Sequence, residues 1–184
     1  TLYAASGAAA ISVLTEETYF KGSLDYLETM SRCGLPLLRK DFLLHPLQVV
    51  QTAATKASAL LLIVRMLTDV ELNEMLRLTY DAGLEAVVEV FDERDLERAE
   101  AAGARIIQVN NRDLDTLTTD FAVATRLAAY KRPGRIWIAA SGIKTRADVE
   151  AMQSLGFDAV LVGTSIMAEA DPGAALARLA GSAA

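Results

Sequence analysis

Seven short, nearly continuous apolar runs recur along the chain. They are rich in leucine or β-branched residues and cover residues 10–14, 35–39, 59–63, 86–90, 105–109, 135–139 and 159–162. Apolar runs that do not alternate with polar residues are typical of strands buried on both faces, as in a parallel sheet. The pattern therefore predicts seven parallel strands.

Amphipathic segments separate these runs and predict helices. The clearest segments cover residues 69–81, 93–102 and 146–155. Several helical segments are followed by a glycine shortly before the next strand, namely Gly7, Gly83, Gly103 and Gly156. Glycine is favoured just after a helix because it adopts the left-handed conformation without strain. These glycines predict tight helix-to-strand turns.

Alternating strands and helices, with no Pro- or Gly-rich linker, predict one α/β domain over residues 1–184. A (β/α)8 TIM barrel has eight strands and typically ~250 residues. We therefore expect a barrel that covers about seven of the eight strand–helix units and is incomplete at the N-terminus, where residues 1–6 resemble the end of a helix. A doubly wound sheet is less favoured, because its G-x-G-x-x-G fingerprint does not occur.

Composition narrows the range of partners. The chain is 52% hydrophobic and 23% charged, with a net charge of −6, which argues against nucleic acid as a partner because phosphate backbones select basic faces. One cysteine and one histidine exclude an intrachain disulfide and a Cys/His zinc site. The apolar runs are far below the ~18 residues of a membrane helix. We expect a cytoplasmic protein without a membrane partner.

Polar side chains lie at or near the ends of three apolar runs. Lys40 and Asp41 follow the second run, Glu89 lies within the fourth, and Asn110 follows the fifth. In α/β enzymes the carboxyl ends of the strands carry the catalytic groups. Because the same pattern occurs three times, we expect one shared site.

Small residues follow the last two predicted strands. Ser141 and Gly142 come after the sixth strand, and the seventh is followed by Gly163, Thr164 and Ser165. Backbone N–H groups at helix N-termini bind phosphate, and in barrels this site follows the last two strands. Glycine and serine also form ordinary turns and caps, but the ordered pair of motifs favours a phosphate site.

Taken together, these motifs resemble the indole-3-glycerol-phosphate synthase family. The matching segments keep the expected order and spacing over essentially the whole chain, at residues 10–16, 19–23, 38–42, 88–90, 109–114, 141–143 and 161–165. The Lys-Asp-Phe segment at 40–42 and the Asn-Asn-Arg-Asp-Leu segment at 110–114 make the resemblance specific.

The resemblance implies a carbon–carbon lyase, of the carboxy-lyase class, in tryptophan biosynthesis. Its reaction would be ring closure of 1-(2-carboxyphenylamino)-1-deoxyribulose 5-phosphate, with loss of carbon dioxide and water. The implied partners are this phosphorylated small molecule and other enzymes of the tryptophan pathway. No cofactor and no metal ion are implied.

Specific roles follow for the side chains at the strand ends. Ring closure needs an acid that polarises the ketose carbonyl, and a lysine ammonium in a partly desolvated site can donate that proton, so Lys40 is the candidate acid. The resemblance supplies Glu89 as the base and Asn110 as a hydrogen-bond partner for loss of the ring proton and of water. Arg112 is expected to orient them, because a guanidinium does not deprotonate.

Aromatic residues complete the expected site. Phe20 and Phe42 would form the wall of the pocket for the anthranilate ring and exclude water, although ordinary core packing is an equally good interpretation of both. His45, Trp137 and Cys33 are interpreted as structural residues.

The chain departs from the family pattern at three places. No Glu-x-Lys segment with the catalytic lysine of the first strand occurs near its start, Ala140 stands where the family usually has glutamate, and Phe91 where it commonly has histidine. Part of an enzyme remains the favoured interpretation. The alternatives are a non-catalytic phosphoester-binding or structural barrel fragment, and phosphoribosylanthranilate isomerase, whose Cys–Asp pair these motifs do not offer.

Overall fold

The computed structural model of the protein describes residues 2–113, 116 and 118–181. Thr1 and Leu114, which belong to segments interpreted above, lie outside the described residues. Strands are β1 (Ile11–Leu14), β2 (Leu37–Lys40), β3 (Ala59–Ile63), β4 (Glu85–Val90), β5 (Ile106–Asn110), β6 (Ile136–Ala140) and β7 (Ala159–Leu161).

Helices alternate with these strands along the chain. They are α1 (Leu2–Ala5), α2 (Asp25–Ser31), α3 (Pro46–Ala53), α4 (Asp69–Asp81), α5 (Glu93–Ala101), α6 (Ala122–Ala128), α7 (Arg146–Ser154), α8 (Thr164–Met167) and α9 (Pro172–Ala180), and a 3-10 turn spans Val64–Met66. Within the described ranges, no helix is both long and apolar enough to cross a membrane.

The predicted pattern of elements is confirmed. Each of the seven strands lies within two residues of its predicted position, and α4 begins and ends at the predicted residues. Gly83 and Gly103 follow α4 and α5 with φ of 74° and 83°, the left-handed conformation that ends a helix. His45 is confirmed in a structural role, because its side chain accepts a hydrogen bond from the N–H of Leu47 at the start of α3.

Two compact units make up the described chain. The first unit contains residues 10–107, and the second combines the start of the chain, up to Ala9, with the part from Gln108 onward. The assignment of residues 1–184 to a single domain stays a prediction.

In the first unit, β1 to β4 lie side by side as parallel strands in chain order. Directly paired residues share a face of the sheet, and successive residues alternate between faces. The register therefore divides the side chains into two sets. One set, the Arg39 face, contains Val13, Arg39, Leu60, Leu62, Ala86 and Val88, and the other, the Lys40 face, contains Leu14, Lys40, Leu61, Ile63, Val87 and Glu89.

Both faces of the central strand β3 are buried, as its continuous apolar sequence predicts. Leu62 on the Arg39 face and Leu61 on the Lys40 face are almost completely inaccessible to solvent. Helix α4 contributes buried side chains, among them Leu72 and Met75. The core of this unit is therefore assembled around β3.

In the second unit, β6 and β7 are parallel neighbours, with Ala140 paired with Leu161. Trp137 in β6 is fully buried and its ring lies 5.9 Å from that of Phe157, in an edge-on arrangement. Trp137 is therefore a core residue, as the sequence predicted.

The substitution Leu62→Ala is expected to lower the free energy of unfolding by about 2–5 kcal/mol, because it leaves a cavity in the core. Leu62 is 0% exposed, whereas Leu47 on α3 is 69% exposed. The matched control Leu47→Ala should change the free energy of unfolding by no more than about 0.5 kcal/mol. Urea unfolding followed by circular dichroism measures both values, and equal effects would contradict a core centred on β3.

Candidate active site

Lys40 is the last residue of β2, and its side chain is half-buried. Its backbone carbonyl accepts a hydrogen bond from the N–H of Thr15 at 3.1 Å, which joins the carboxyl ends of β1 and β2. No other described residue forms a hydrogen bond or an ion pair with the Lys40 ammonium. This ammonium group is therefore available to a ligand.

Glu89 lies within β4 and is buried. It belongs to the Lys40 face, because the register pairs it with Ile63. Lys40 is level with Leu61, whereas Glu89 pairs with Ile63, two residues further along. With ~4.8 Å between strands and ~3.3 Å per residue, the backbones of Lys40 and Glu89 are about 12 Å apart. The alternation of side chains along the strands thus places the Lys40 ammonium and the Glu89 carboxylate on one face of the sheet. That the two residues belong to one catalytic site stays a prediction.

Asp41, the second charged residue after the apolar run, has a different environment. Its carboxylate Oδ2 accepts from the Arg39 guanidinium at 2.9 Å, and its Oδ1 accepts from the N–H of Phe42 at 2.8 Å. The sequence interpretation missed Arg39, which is buried in β2. An arginine inside an apolar run needs a buried partner, and that requirement was the available signal.

Phe20 and Phe42 form an aromatic pair, with ring centroids 6.0 Å apart and ring planes inclined by 41°. Phe20 is 49% exposed and Phe42 is half-buried. The core-packing interpretation is therefore wrong for Phe20. The pair presents a partly exposed apolar surface that suits an aromatic ligand.

The Glu16 carboxylate holds the loop that carries Phe20. It accepts hydrogen bonds from the backbone N–H groups of Thr18, Tyr19 and Phe20 at 2.8, 2.6 and 3.0 Å. Burial raises the pKa of the Glu16 carboxyl, but the N–H donors of Phe20, Tyr19 and Thr18 outweigh it, so the net pKa is lower than that of an ordinary glutamate. The loop conformation thus depends on an ionised Glu16.

Close backbone packing also restricts this loop at Gly22. A Cβ atom at Gly22 would lie 2.4 Å from the carbonyl oxygen of Leu14, a distance that real Cβ contacts do not reach. Only glycine fits at this position without movement of the backbone.

Phe91, at the position where histidine is common in the family, is buried beside Arg65. The Arg65 guanidinium lies 4.1 Å from the centre of the Phe91 ring and pairs with Asp95 at 3.1 Å. A cation over an aromatic face is favourable. Phe91 therefore packs in the loop after β4 and brings no titratable group to it.

In the second unit, Asn110 ends β5, and its side-chain Oδ1 accepts a hydrogen bond from the N–H of Arg112 at 3.0 Å. The structure thus brings Asn110 and Arg112 together. The Arg112 side chain is half-buried and forms no hydrogen bond or ion pair with another described residue. Its guanidinium can therefore serve a ligand.

Asn111 is a buried polar residue whose role the sequence interpretation missed. Its backbone N–H donates to the carbonyl of Ala140 at 2.9 Å, and its side-chain Nδ2 donates to the carbonyl of Ser141 at 3.3 Å. Its Oδ1 accepts from the N–H of Ala124 in α6 at 3.1 Å. Asn111 therefore fixes the end of β6 and the start of the loop that follows it.

The loop after β6 contains two successive residues in the left-handed region, Ser141 with φ of 69° and Gly142 with φ of 82°. A Cβ atom at Gly142 would lie 2.9 Å from the Phe121 ring, which restricts this position to glycine. This conformation turns the backbone away from the strand and leaves amide groups along the loop, an arrangement that suits an anion.

The loop after β7 lies beside the loop after β6. The hydroxyl of Ser165 donates to the carbonyl of Ile143 at 2.9 Å, and this bond links the two predicted phosphate-binding segments. Gly163 precedes α8, and the space where its Cβ would lie is open. The first N–H groups of a helix have no partner within the helix, so the amides of Gly163 and Thr164 are potential donors to an anion.

The described residues contain no group of three or more His, Cys, Asp or Glu side chains that could hold a metal ion. The arrangement instead offers an ammonium, a carboxylate and an aromatic surface in the first unit, with backbone amides and a guanidinium in the second.

Comparison with known sequences gives one family. A family model described as indole-3-glycerol phosphate synthase matches residues 1–179. The chain is 49% identical to the indole-3-glycerol phosphate synthase of Desulfosudis oleivorans, over 92% of the chain and 65% of the relative. It is 45% identical to that of Carboxydothermus hydrogenoformans, over 95% of the chain and 67% of the relative. The chain thus spans about two thirds of the length of these curated relatives.

Comparison with solved structures shows the fold. The 3-hexulose-6-phosphate synthase from Salmonella typhimurium superimposes with a TM-score of 0.82 and 16% identity, over 98% of this chain and 90% of that chain. A second 3-hexulose-6-phosphate synthase gives a TM-score of 0.80, also with 16% identity, over 100% of this chain and 90% of that chain. This likeness, together with the alternation of strands and helices along the described residues, confirms the predicted barrel class of fold.

Acidification is expected to release the loop held by Glu16. Because the pKa of Glu16 is lowered in the folded protein, its stabilising contribution is complete above the pKa of an ordinary glutamate and is lost as the pH falls through the lowered value. NMR titration of the amide protons of Thr18, Tyr19 and Phe20 measures this transition.

Glu16→Gln should remove the transition, whereas Glu17→Gln, at the exposed neighbouring position, should preserve it. If the amide protons of the Glu16→Gln protein showed the same pH transition as those of the parent protein, the contact between Glu16 and the loop would be ruled out.

Proposed function

The chain belongs to the indole-3-glycerol phosphate synthase family, and on that premise we propose that it closes the indole ring of 1-(2-carboxyphenylamino)-1-deoxyribulose 5-phosphate. The reaction releases carbon dioxide and water and belongs to tryptophan biosynthesis, so the protein would be a carboxy-lyase. One observation carries the proposal: the half-buried ammonium of Lys40, with which no other described residue pairs, lies on the same sheet face as the buried carboxylate of Glu89.

Lys40 is proposed as the general acid of ring closure. When the aromatic carbon that bears the carboxylate attacks the ketose carbonyl, negative charge develops on the carbonyl oxygen, and a proton from Lys40 Nζ neutralises it. Loss of carbon dioxide then restores the aromatic ring. An ammonium group that forms no ion pair with another described residue suits this role, because its N–H groups are free to donate to the carbonyl oxygen of the substrate.

Glu89 and Asn110 are proposed to act in the loss of water. Departure of the hydroxyl group needs a proton at the oxygen and a base that removes a proton from the neighbouring carbon. Glu89 would be that base, Asn110 would hold the departing group by a hydrogen bond, and the proton that completes the departing water would come from solvent. Arg112, whose backbone N–H is bonded to the Asn110 side chain, would orient the substrate.

Substrate binding is proposed to divide between an aromatic surface and a phosphate cradle. Phe20 and Phe42 would contact the anthranilate ring, supported by their partly exposed pairing. The phosphate would bind the backbone amides of the cradle residues Ser141, Gly142, Gly163, Thr164 and Ser165. The hydroxyl proton of Ser165 already serves Ile143, so its contribution to binding would be the N–H group.

A non-catalytic phosphoester-binding protein is the second candidate, and one observation favours it. Ala140, where the family usually has glutamate, is buried at the end of β6, and its carbonyl accepts from Asn111. This position therefore supplies no carboxylate. For either candidate we propose a cytoplasmic location, and other enzymes of the tryptophan pathway stay predicted partners.

Inorganic phosphate is expected to bind the cradle. Its addition should shift the backbone amide resonances of Gly142, Gly163 and Thr164 in an NMR titration, because helix N-termini and left-handed turns donate N–H groups to anions. Gly134, in the turn before β6, serves as the internal control and should not shift. Shifts confined to surface arginines such as Arg132 would exclude the cradle.

Lys40→Ala in the full-length protein should lower the turnover number by roughly 10²–10⁴-fold, the usual contribution of general acid–base catalysis. Phosphate binding should be almost unchanged, because the cradle contains no lysine. The control Lys56→Ala removes an exposed lysine and should retain full turnover. A Lys40→Ala protein with normal turnover would leave only the phosphate-binding function.

A further inference from the structure

A buried polar cluster surrounds the backbone on both sides of Lys40. Its centre is the Asp41 carboxylate. The Oδ2 atom of Asp41 accepts a hydrogen bond from the Thr15 hydroxyl at 2.6 Å and forms an ion pair with Arg39 Nη2 at 2.9 Å. The side chains of Arg39 and Asp41 are only 4% and 11% exposed. Charge-assisted hydrogen bonds of this kind are among the strongest in proteins.

The Arg39 guanidinium extends the cluster to a helix. Its Nη1 donates to the Thr52 hydroxyl at 2.9 Å and to the carbonyl of Gln48 at 3.2 Å, both in α3. Its Nε lies 3.3 Å from the Thr15 hydroxyl oxygen and 3.3 Å from Asp41 Oδ2. The end of β2 is thereby fastened to α3 and to the residue that follows β1.

Three constraints converge on Lys40. The residue before it, Arg39, and the residue after it, Asp41, are paired with each other on the face opposite to the Lys40 side chain. The Lys40 carbonyl accepts from the N–H of Thr15, the residue whose hydroxyl also bonds to Asp41. These contacts therefore hold the backbone on both sides of Lys40.

We propose that Thr15, Arg39 and Asp41 are positioning residues that fix the direction of the Lys40 side chain for proton donation. Asp41 also accepts a hydrogen bond from the N–H of Phe42. The same carboxylate therefore fixes the backbone that carries Lys40 and the backbone that carries one ring of the aromatic surface. This inference rests on the proposed function, because it assigns the cluster to the orientation of the acid of that reaction. It predicts a loss of turnover without a loss of substrate affinity.

Thr15 offers a sharper test than the ion pair. Removing Asp41 would leave the Arg39 cation buried without its partner, which is strongly destabilising, so a loss of turnover in that variant would not distinguish misplacement of Lys40 from unfolding. Thr15→Val keeps the shape and the ion pair while it removes the hydroxyl. Thr15→Ser keeps the hydroxyl and is the conservative variant that should restore the parent behaviour.

Thr79→Val is the matched control for lost stability. Thr79 is also buried, and its hydroxyl donates to the carbonyl of Met75 in α4 at 2.6 Å. In the full-length protein, Thr15→Val should lower kcat by roughly 10–100-fold with KM almost unchanged, as expected for a misplaced reacting group. Thr79→Val should lose about as much stability as Thr15→Val but keep the kcat of the parent protein. Equal kcat values in the two variants would overturn the inference.

A second measurement does not depend on turnover. Limited acetylation with acetic anhydride, followed by mass spectrometry of peptides, gives the ratio of modification at Lys40 to that at the exposed Lys56. This ratio should rise in Thr15→Val, because the half-buried Lys40 is released, and should return to the parent value in Thr15→Ser. An unchanged ratio in Thr15→Val would overturn the inference, whatever the turnover. A parent protein without turnover would contradict the proposed function alone, and the ratio would then decide this inference.

Discussion

The alternation of side chains along a buried parallel strand is the constraint on which the first unit depends. At the end of β2 it sends two consecutive cations to opposite faces, so that Arg39 reaches α3 while Lys40 lies on the face shared with Glu89. A shift of one residue in register would exchange these environments. The ion pair of Arg39 with Asp41 disfavours such a shift, because the shift would separate the buried Arg39 charge from its partners.

The polar groups of the site share a second feature, in that side-chain oxygens hold the loops at the strand ends. Glu16 binds the N–H groups of the loop that carries Phe20, Asp41 binds the N–H of Phe42, and Asn111 binds the end of β6. A buried or turning backbone needs partners for its N–H and C=O groups. These residues supply the partners and at the same time fix the side chains proposed to meet substrate.

The comparisons show that proteins with this fold carry different activities. Solved structures with only 16% identity share the fold, and they are named as 3-hexulose-6-phosphate synthases, after a reaction other than the one proposed for this chain. Lys40 and Asn110, which belong to the two segments that make the family resemblance specific, lie at the ends of β2 and β5, and one fold can carry sites for different reactions. Ala140 illustrates this independence, because the loss of a carboxylate there leaves β6 paired with β7 and bonded to Asn111.

The sequence alone determined the strands, the helices and the glycine turns, because continuous apolar runs and helical periodicity are local properties of the chain. It also predicted Lys40, Glu89 and the cradle as parts of one site, since polar residues at or near strand ends stand out against apolar neighbours. Only the tertiary structure decided that Asp41 pairs with Arg39, that Asn111 fixes the end of β6 and that Phe20 is exposed. These facts depend on which distant residues become neighbours. A polar group is buried without a large free-energy cost only when those neighbours supply its hydrogen bonds.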